Sequence, residues 1–125
     1  METIQKTDNK LVISAKMNET LANYVDVNDL ERLLREDSTL ILIDARTSEE
    51  FAGGHVPGAT NVPIAELGNF AQQQRNASED FIVTMCGSTG RGEKAASILN
   101  SNGMANVQVM NGGLKAWQEA SFPVT

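Results

Sequence analysis

Residues 81–91, FIVTMCGSTGR, carry the clearest structural pattern in the sequence. Residues 81–85 form a short, mostly apolar run, as in a strand that is covered on both faces of a parallel sheet. Residues 86–91 contain two glycines and are typical of a tight loop, and Ala95, Ile98 and Leu99 then recur at helical spacing. The stretch therefore predicts a strand–loop–helix unit in which Cys86, the only cysteine of the chain, follows directly after the strand.

Further strands are predicted on both sides of this unit. Residues 40–43 are a continuous apolar run, residues 107–110 are predicted to form a third strand, and a brief strand is expected near residues 60–62. Residues 11–14 offer one more candidate, an edge strand in an otherwise weakly patterned N-terminal segment.

Helical segments separate these strands, and two of them begin with capping-box patterns. Asn28 with Glu31 predicts a helix that starts there and runs to about Glu36, and Thr47 with Glu50 predicts a short helix that ends at two glycines. The remaining predicted helices cover residues 64–75, the segment after the loop up to residue 102, and residues 114–120. Alternating strands and helices indicate an α/β fold with a mainly parallel sheet.

Composition excludes several classes of function. The chain has 125 residues and a formal net charge of −6, which disfavours nucleic acid and anionic membrane surfaces as partners. One cysteine and one histidine exclude an intramolecular disulfide and make a zinc site implausible, so neither a metal nor a cofactor is predicted. The N-terminus lacks the apolar run of a signal peptide, and no stretch approaches the about 20 apolar residues of a membrane span. A cytoplasmic location is therefore expected.

The position of Cys86 indicates chemistry. Ligands of parallel α/β sheets bind beyond the carboxyl ends of the strands, and a glycine-rich loop there can present successive N–H groups to an anion. The next helix adds the partial positive charge of its N-terminus, and Arg91 adds a full charge with a planar donor group. A lone cysteine is usually a small buried apolar residue, but these surroundings favour a thiolate nucleophile that also binds an anionic substrate.

At this point the chain resembles the rhodanese family, from about residue 24 to residue 124. The motifs that carry the resemblance are IDAR at 43–46 with EEF at 49–51, GHVPGATNVP at 54–63, CGSTGR at 86–91, and GGLKAW at 112–117 with FPV at 122–124. The resemblance implies a rhodanese-like fold with a central, mainly parallel five-stranded sheet flanked by helices on both faces. It implies a domain over residues 21–125. Residues 1–20, whose periodicity is weak, are predicted to be a flexible lead-in.

The resemblance also implies an activity, that of a thiosulfate or persulfide sulfurtransferase. Cys86 would be the catalytic residue, accepting a sulfane sulfur from a small sulfur-containing anion as a persulfide and passing it to cyanide or a thiol. The substrate-binding loop would consist of Gly87, Ser88, Thr89, Gly90 and Arg91. Since Arg91 is the only basic residue in the loop, polysulfide, or a persulfide on a sulfur-carrying partner protein, is an alternative donor to thiosulfate.

Two other classes of function stay open. Phosphatases and arsenate reductases related to the family place five residues between Cys and Arg, whereas Cys86 and Arg91 bracket four, so that the shorter loop favours sulfur over a tetrahedral oxyanion. A non-catalytic interaction module of the same fold is the second alternative. The intact Cys86 and Arg91 count against it.

Outside the loop, Arg46 is the further candidate for substrate binding. It follows a strand on the same side of the sheet as Cys86 and would add positive charge at the mouth of the pocket; the alternative is that it pairs with a nearby acid while Asp44 caps the following turn. His55 is interpreted as part of a turn scaffold rather than as a general base, and Trp117 as packing. Glu50, with its neighbour, is interpreted as a surface charge at a helix start.

Overall fold

The computed structural model describes residues 23–36, 39–74 and 81–125. The predicted lead-in of residues 1–20, with its candidate edge strand at residues 11–14, lies outside the described residues. The same is true of the predicted end of the helix at Arg75.

Five parallel strands form one sheet in the order β1-β5-β4-β2-β3. Their bounds are Asn23–Val25 for β1, Ile41–Asp44 for β2, Thr60–Asn61 for β3, Ile82–Met85 for β4 and Val107–Met110 for β5. The two strands predicted from the longest apolar runs, β2 and β4, are neighbours, and β4 lies at the centre with β5 on its other side. The predicted α/β fold with a parallel five-stranded sheet is confirmed.

Helices cover both faces of this sheet. They are α1 (Val27–Glu36), α2 (Ser48–Ala52), α3 (Leu67–Gln73), α4 (Gly90–Ser101) and α5 (Gly113–Glu119), and a single 3₁₀ turn at Ile64–Glu66 precedes α3. Side chains of α3 and α4 pack with one set of strand residues, which includes Ile43 and Ile82. Side chains of α1 and α5 pack with the alternate set, which includes Leu42 and Val83. Adjacent strand residues thus serve opposite apolar layers, as the pleat of a strand requires.

One edge of the sheet is a strand that was not predicted from the sequence. The strand beside β5 is Asn23–Val25, which pairs Tyr24 with Val109. Only Val25 of these three residues is buried. So short a strand with one inward residue shows no alternation by which it could be recognised.

Two helix starts can be compared with their predicted caps. The capping box at α2 is confirmed: the Glu50 N–H donates to Thr47 Oγ1 at 3.1 Å, and the Thr47 N–H donates to Glu50 Oε1 at 3.0 Å. At α1 the predicted cap at Asn28 is wrong, because the helix begins at Val27 and the Asp29 N–H donates to Asp26 Oδ1 at 2.8 Å. Both segments carry a capping pattern, and at α1 the aspartate two residues earlier takes the capping position.

Candidate active site

Cys86 lies at the carboxyl end of the central strand, where the sequence places it. The residue before it is held by the neighbouring strand, since the Ala45 N–H donates to the Met85 carbonyl at 2.8 Å. The carbonyl of Cys86 itself accepts from the Leu114 N–H at 2.8 Å. Cys86 is 2% exposed. Cys86 is therefore almost completely enclosed at the carboxyl end of the sheet.

The cysteine loop, residues 86–91, presents donors rather than acceptors. Within the part of the chain that the structure describes, no protein acceptor is found for the backbone N–H groups of Gly87, Ser88, Thr89, Gly90 and Arg91. The last two of these residues already form the first turn of α4, a twelve-residue helix. Unpaired N–H groups in a loop and at a helix N-terminus are suited to receive an anion.

The carbonyl side of the cysteine loop is held by the start of α5. The Lys115 N–H donates to the Gly87 carbonyl at 3.1 Å, in parallel with the bond from Leu114 to Cys86. Gly113 makes this approach possible: a Cβ there would lie 2.3 Å from the Ser88 carbonyl oxygen and 2.4 Å from that of Cys86, and its φ is +60°. Any side chain at Gly113 would push the helix and the loop apart.

A second contact braces the loop on the same side. The Gly112 N–H donates to Thr89 Oγ1 at 3.0 Å. Thr89 Oγ1 also lies 3.5 Å from Asn111 Oδ1. The hydroxyl of Thr89 thus ties the loop to the turn before α5, while the backbone N–H of the same residue stays available.

Arg91 does not project freely from the loop. A Cβ built on Gly87 would lie 3.6 Å from Arg91 Nη2, so the guanidinium folds back over the start of the loop. Its two terminal nitrogens donate to the two carboxylate oxygens of Glu50, at 2.7 and 3.1 Å. The hydrogen bond to Glu50 raises the pKa of Arg91, and the charges of Cys86 and Asp44 add to it.

Glu50 responds to the same contact. Its hydrogen bond with Arg91, together with the backbone N–H of Thr47, lowers its pKa from 4.5 to about 2. Its side chain is 41% exposed. Glu50 is therefore ionised at every pH at which the protein would ordinarily be assayed.

Arg46 forms a separate, buried ion pair. It donates from Nη2 to Asp44 Oδ2 at 2.8 Å and to the Gly54 carbonyl at 2.8 Å, and from Nε to Asp44 Oδ1 at 3.0 Å. The two side chains are 7% and 0% exposed. Asn61 continues the network by donating to the carbonyls of both residues. Pairing with a nearby acid, one of the two interpretations of Arg46, is what the structure shows; a contact with substrate stays a prediction.

His55 and Trp117 make structural contacts. His55 Nδ1 lies 2.8 Å from the Phe51 carbonyl, and its ring stacks on that of Phe51. Its backbone exchanges two hydrogen bonds with Thr125. Trp117 is 3% exposed and donates to the Pro123 carbonyl. These contacts agree with a turn scaffold and with packing.

The loop residues predicted from the sequence are therefore contiguous around Cys86. Two further residues that shape the site, Glu50 and Gly113, were not predicted from the sequence. Glu50 comes from 41 residues away to pair with Arg91. Gly113, which has no side chain, allows the start of α5 to pack against the carbonyls of the loop. The signal for Gly113 was its place in a glycine pair before a helix; nothing local distinguished Glu50 from a capping residue.

The described residues contain no cluster of three or more potential metal-binding His, Cys, Asp or Glu side chains. Nor does the described part of the chain include a helix of the length and apolarity that crossing a membrane requires.

Comparison with known proteins identifies the family to which this fold belongs. The sequence profile of the rhodanese-like domain matches residues 26–120. The chain is 29% identical to the uncharacterized protein YqhL of Bacillus subtilis, across 86% of this chain and 88% of that protein. It is 32% identical to the thiosulfate sulfurtransferase GlpE of Pseudoalteromonas translucida, across 73% and 83% of the two chains. Among solved structures, the human single-domain sulfurtransferase TSTD1 superposes with a TM-score of 0.67 at 29% identity, covering 78% of this chain and 96% of that one.

Proposed function

Because the chain belongs to the rhodanese-like domain family, we propose that it is a sulfurtransferase that carries a sulfane sulfur as a persulfide on Cys86. Relatives named as sulfurtransferases, at modest identity, support the class of reaction. The observation that carries the proposal is the row of five backbone N–H groups after Cys86 that have no acceptor among the described residues.

The first step forms the persulfide. The Cys86 thiolate attacks the outer sulfur of the donor, an S–S bond forms to Sγ, and the bond between that sulfur and the rest of the donor breaks. With thiosulfate the leaving group is sulfite, which departs with the electron pair; with a persulfide or polysulfide it is a thiolate or a shortened polysulfide. Charge is conserved in each case, and no external oxidant is needed.

The second step returns the enzyme to its starting state. Cyanide or a thiolate attacks the outer sulfur, the S–S bond to Cys86 breaks, and Sγ leaves as the thiolate. The products are thiocyanate or a new persulfide. Since the chain has no second cysteine, the nucleophile comes from another molecule, either a small one or a thiol of a sulfur-carrying partner protein.

The surroundings of Cys86 suit both steps. The outer sulfur carries negative charge in the persulfide, and the free N–H groups of the cysteine loop with the N-terminus of α4 would receive it as hydrogen-bond donors. These donors are held in place before the reaction by the contacts of α5 with the loop carbonyls. Little rearrangement is then required when charge develops, which is the condition under which fixed dipoles accelerate a reaction most.

Intact-mass analysis tests the proposal. After incubation with thiosulfate or polysulfide and removal of the donor, the wild type should gain one sulfur atom, cyanide should remove it as thiocyanate, and Cys86→Ser should gain none. Absence of cyanide-labile sulfur with every donor would overturn the proposal and favour a non-catalytic interaction module. Hydrolysis of an aryl phosphate that is abolished by Cys86→Ser would favour an oxyanion-handling enzyme instead.

A further inference from the structure

We propose that Glu50 determines which donors the site accepts: by pairing with Arg91 it cancels the only full positive charge of the cysteine loop, so that singly charged sulfur donors are favoured over the thiosulfate dianion. This inference rests on the proposed sulfurtransferase function. Glu50 acts through Arg91 and is a positioning residue, not a group that exchanges sulfur.

The orientation of Glu50 is the first observation behind this inference. Its Oε1 accepts from the Thr47 N–H at 3.0 Å and from Arg91 Nη1 at 2.7 Å, while Oε2 accepts from Arg91 Nη2 at 3.1 Å. A carboxylate held at both oxygens by a helix cap and a planar guanidinium has little freedom to move away. The pair is therefore part of the geometry of the site, although both side chains are about two-fifths exposed.

The charges of the surrounding residues are the second observation. Arg46, two residues after the end of β2, is paired with Asp44 inside the protein. Lys115, whose N–H bonds the Gly87 carbonyl, directs its ammonium group to Glu119. Arg91 is paired with Glu50, so each of these three cationic side chains is matched by one carboxylate. The next two charges along α4, those of Glu93 and Lys94, are exposed and opposite in sign.

Backbone N–H groups are then the main attraction that remains for a substrate. These dipoles can stabilise the single negative charge of a persulfide. Thiosulfate brings two charges, and each is repelled by the Cys86 thiolate and by Glu50. Because a Coulomb energy is proportional to the product of the charges, Glu50 opposes a dianion about twice as strongly as a monoanion. A persulfide or another monoanionic donor suits this site better.

The experiment compares two donors that differ by one charge. Thiosulfate is a dianion, whereas the methanethiosulfonate anion offers the same sulfane sulfur with one charge and releases methanesulfinate in place of sulfite. The second-order rate of persulfide formation on Cys86 is measured with each donor for the wild type and for Glu50→Gln. Glutamine retains an oxygen for the cap of α2 but no charge, and Thr47→Ala, which weakens the cap and keeps the carboxylate, is the matched control.

We expect Glu50→Gln to raise the rate with thiosulfate on the order of tenfold and the rate with methanethiosulfonate on the order of threefold, since the repulsion scales with donor charge. The gain should appear as a lower KM and should shrink with added salt, because exposed charges are screened. Thr47→Ala should leave the ratio of the two rates unchanged. Glu50→Ala, which loses cap and charge together, should shift the ratio in the same direction as Glu50→Gln.

An unchanged ratio of rates in both Glu50 variants would overturn the inference while the proposed function stands. If the ratio stays unchanged because both donors lose rate equally, Glu50 only maintains the shape of the loop. If the wild type takes up sulfur from neither these donors nor polysulfide, the proposed function itself fails and the inference fails with it.

Discussion

Replacing Gly113 with alanine tests how closely α5 and the cysteine loop depend on each other. The added Cβ would lie 2.3 Å from the Ser88 carbonyl oxygen, 2.4 Å from that of Cys86 and 2.7 Å from the Gly87 carbonyl carbon. The first of these contacts must lengthen by about 0.7 Å to reach 3.0 Å, the lower limit for real Cβ contacts. The atoms in the way belong to the backbone, so no side chain can turn aside to relieve the overlap.

The cost can be worked out from its parts. A residue with a side chain in the left-handed region costs about 1–2 kcal/mol. Moving α5 away from the loop weakens the two hydrogen bonds from α5 to the loop carbonyls, each of which contributes about 0.5–1.5 kcal/mol. With the steric strain added, we expect Gly113→Ala to lower the free energy of unfolding by about 3–5 kcal/mol, at the upper end of the range for single substitutions.

Gly103→Ala is the matched control, because Gly103 has a φ of +94° but no atom within 4 Å of a Cβ there. It carries the backbone strain without the overlap and should cost about 1–2 kcal/mol. Urea unfolding with an unchanged m-value gives both numbers, and uptake of sulfur by the folded fraction reports on the loop. Equal costs for the two variants would refute the close packing of α5 on the cysteine loop.

Three further predictions concern other contacts. Asp44→Ala leaves the buried guanidinium of Arg46 without its carboxylate and should lower the free energy of unfolding in urea by about 3–5 kcal/mol. The double variant Asp44→Asn with Arg46→Met should lose less stability, because no buried charge remains. A loss for Asp44→Ala as small as that of a surface substitution would contradict this prediction. The pKa of Glu50 is about 2 in the folded protein against an ordinary 4.5, so its ionisation stabilises the fold above pH 4.5 and this contribution is lost as the pH falls towards 2. The difference in stability between the wild type and Glu50→Gln should therefore shrink over that range, and a constant difference would argue against the pair with Arg91. Trp117→Phe removes the hydrogen bond to the Pro123 carbonyl and should lower the free energy of unfolding by about 0.5–1.5 kcal/mol, the contribution of one ordinary hydrogen bond, since Pro123 is exposed and water can reach the carbonyl. An unchanged melting temperature would contradict that role.

The centre of the fold was predictable because its signals are local. Residues 40–43 and 81–85 are apolar runs of strand length, and they became the adjacent strands β2 and β4. The capping box of Thr47 and Glu50 depends on residues three apart and was identified for the same reason. In contrast, β1 owes its existence to pairing with β5, more than eighty residues away along the chain. A three-residue strand is too short for its own sequence to indicate the strand with which it pairs.

The candidate site divides in the same way. Residues 86–91 are contiguous, so a glycine-rich loop after a strand is enough to bring them together. The interpretation of Glu50 as a charge at a helix start is correct. That role already explains its residue type, so nothing in the sequence calls for a second one. Its partner Arg91 is brought to it only by the order of strands in the sheet.

The depth of Cys86 has a consequence for which of two sulfur atoms an acceptor can attack. Sγ belongs to a residue that is 2% exposed, whereas the outer sulfur of a persulfide stands about 2 Å beyond it. In the proposed cycle an incoming thiolate therefore meets the outer sulfur first, and its attack there yields a new persulfide. Attack on Sγ would instead release hydrosulfide and leave the acceptor attached as a mixed disulfide. The burial of Cys86 thus favours attack on the outer sulfur, which transfers that sulfur, over attack on Sγ, which would leave the enzyme blocked as a mixed disulfide.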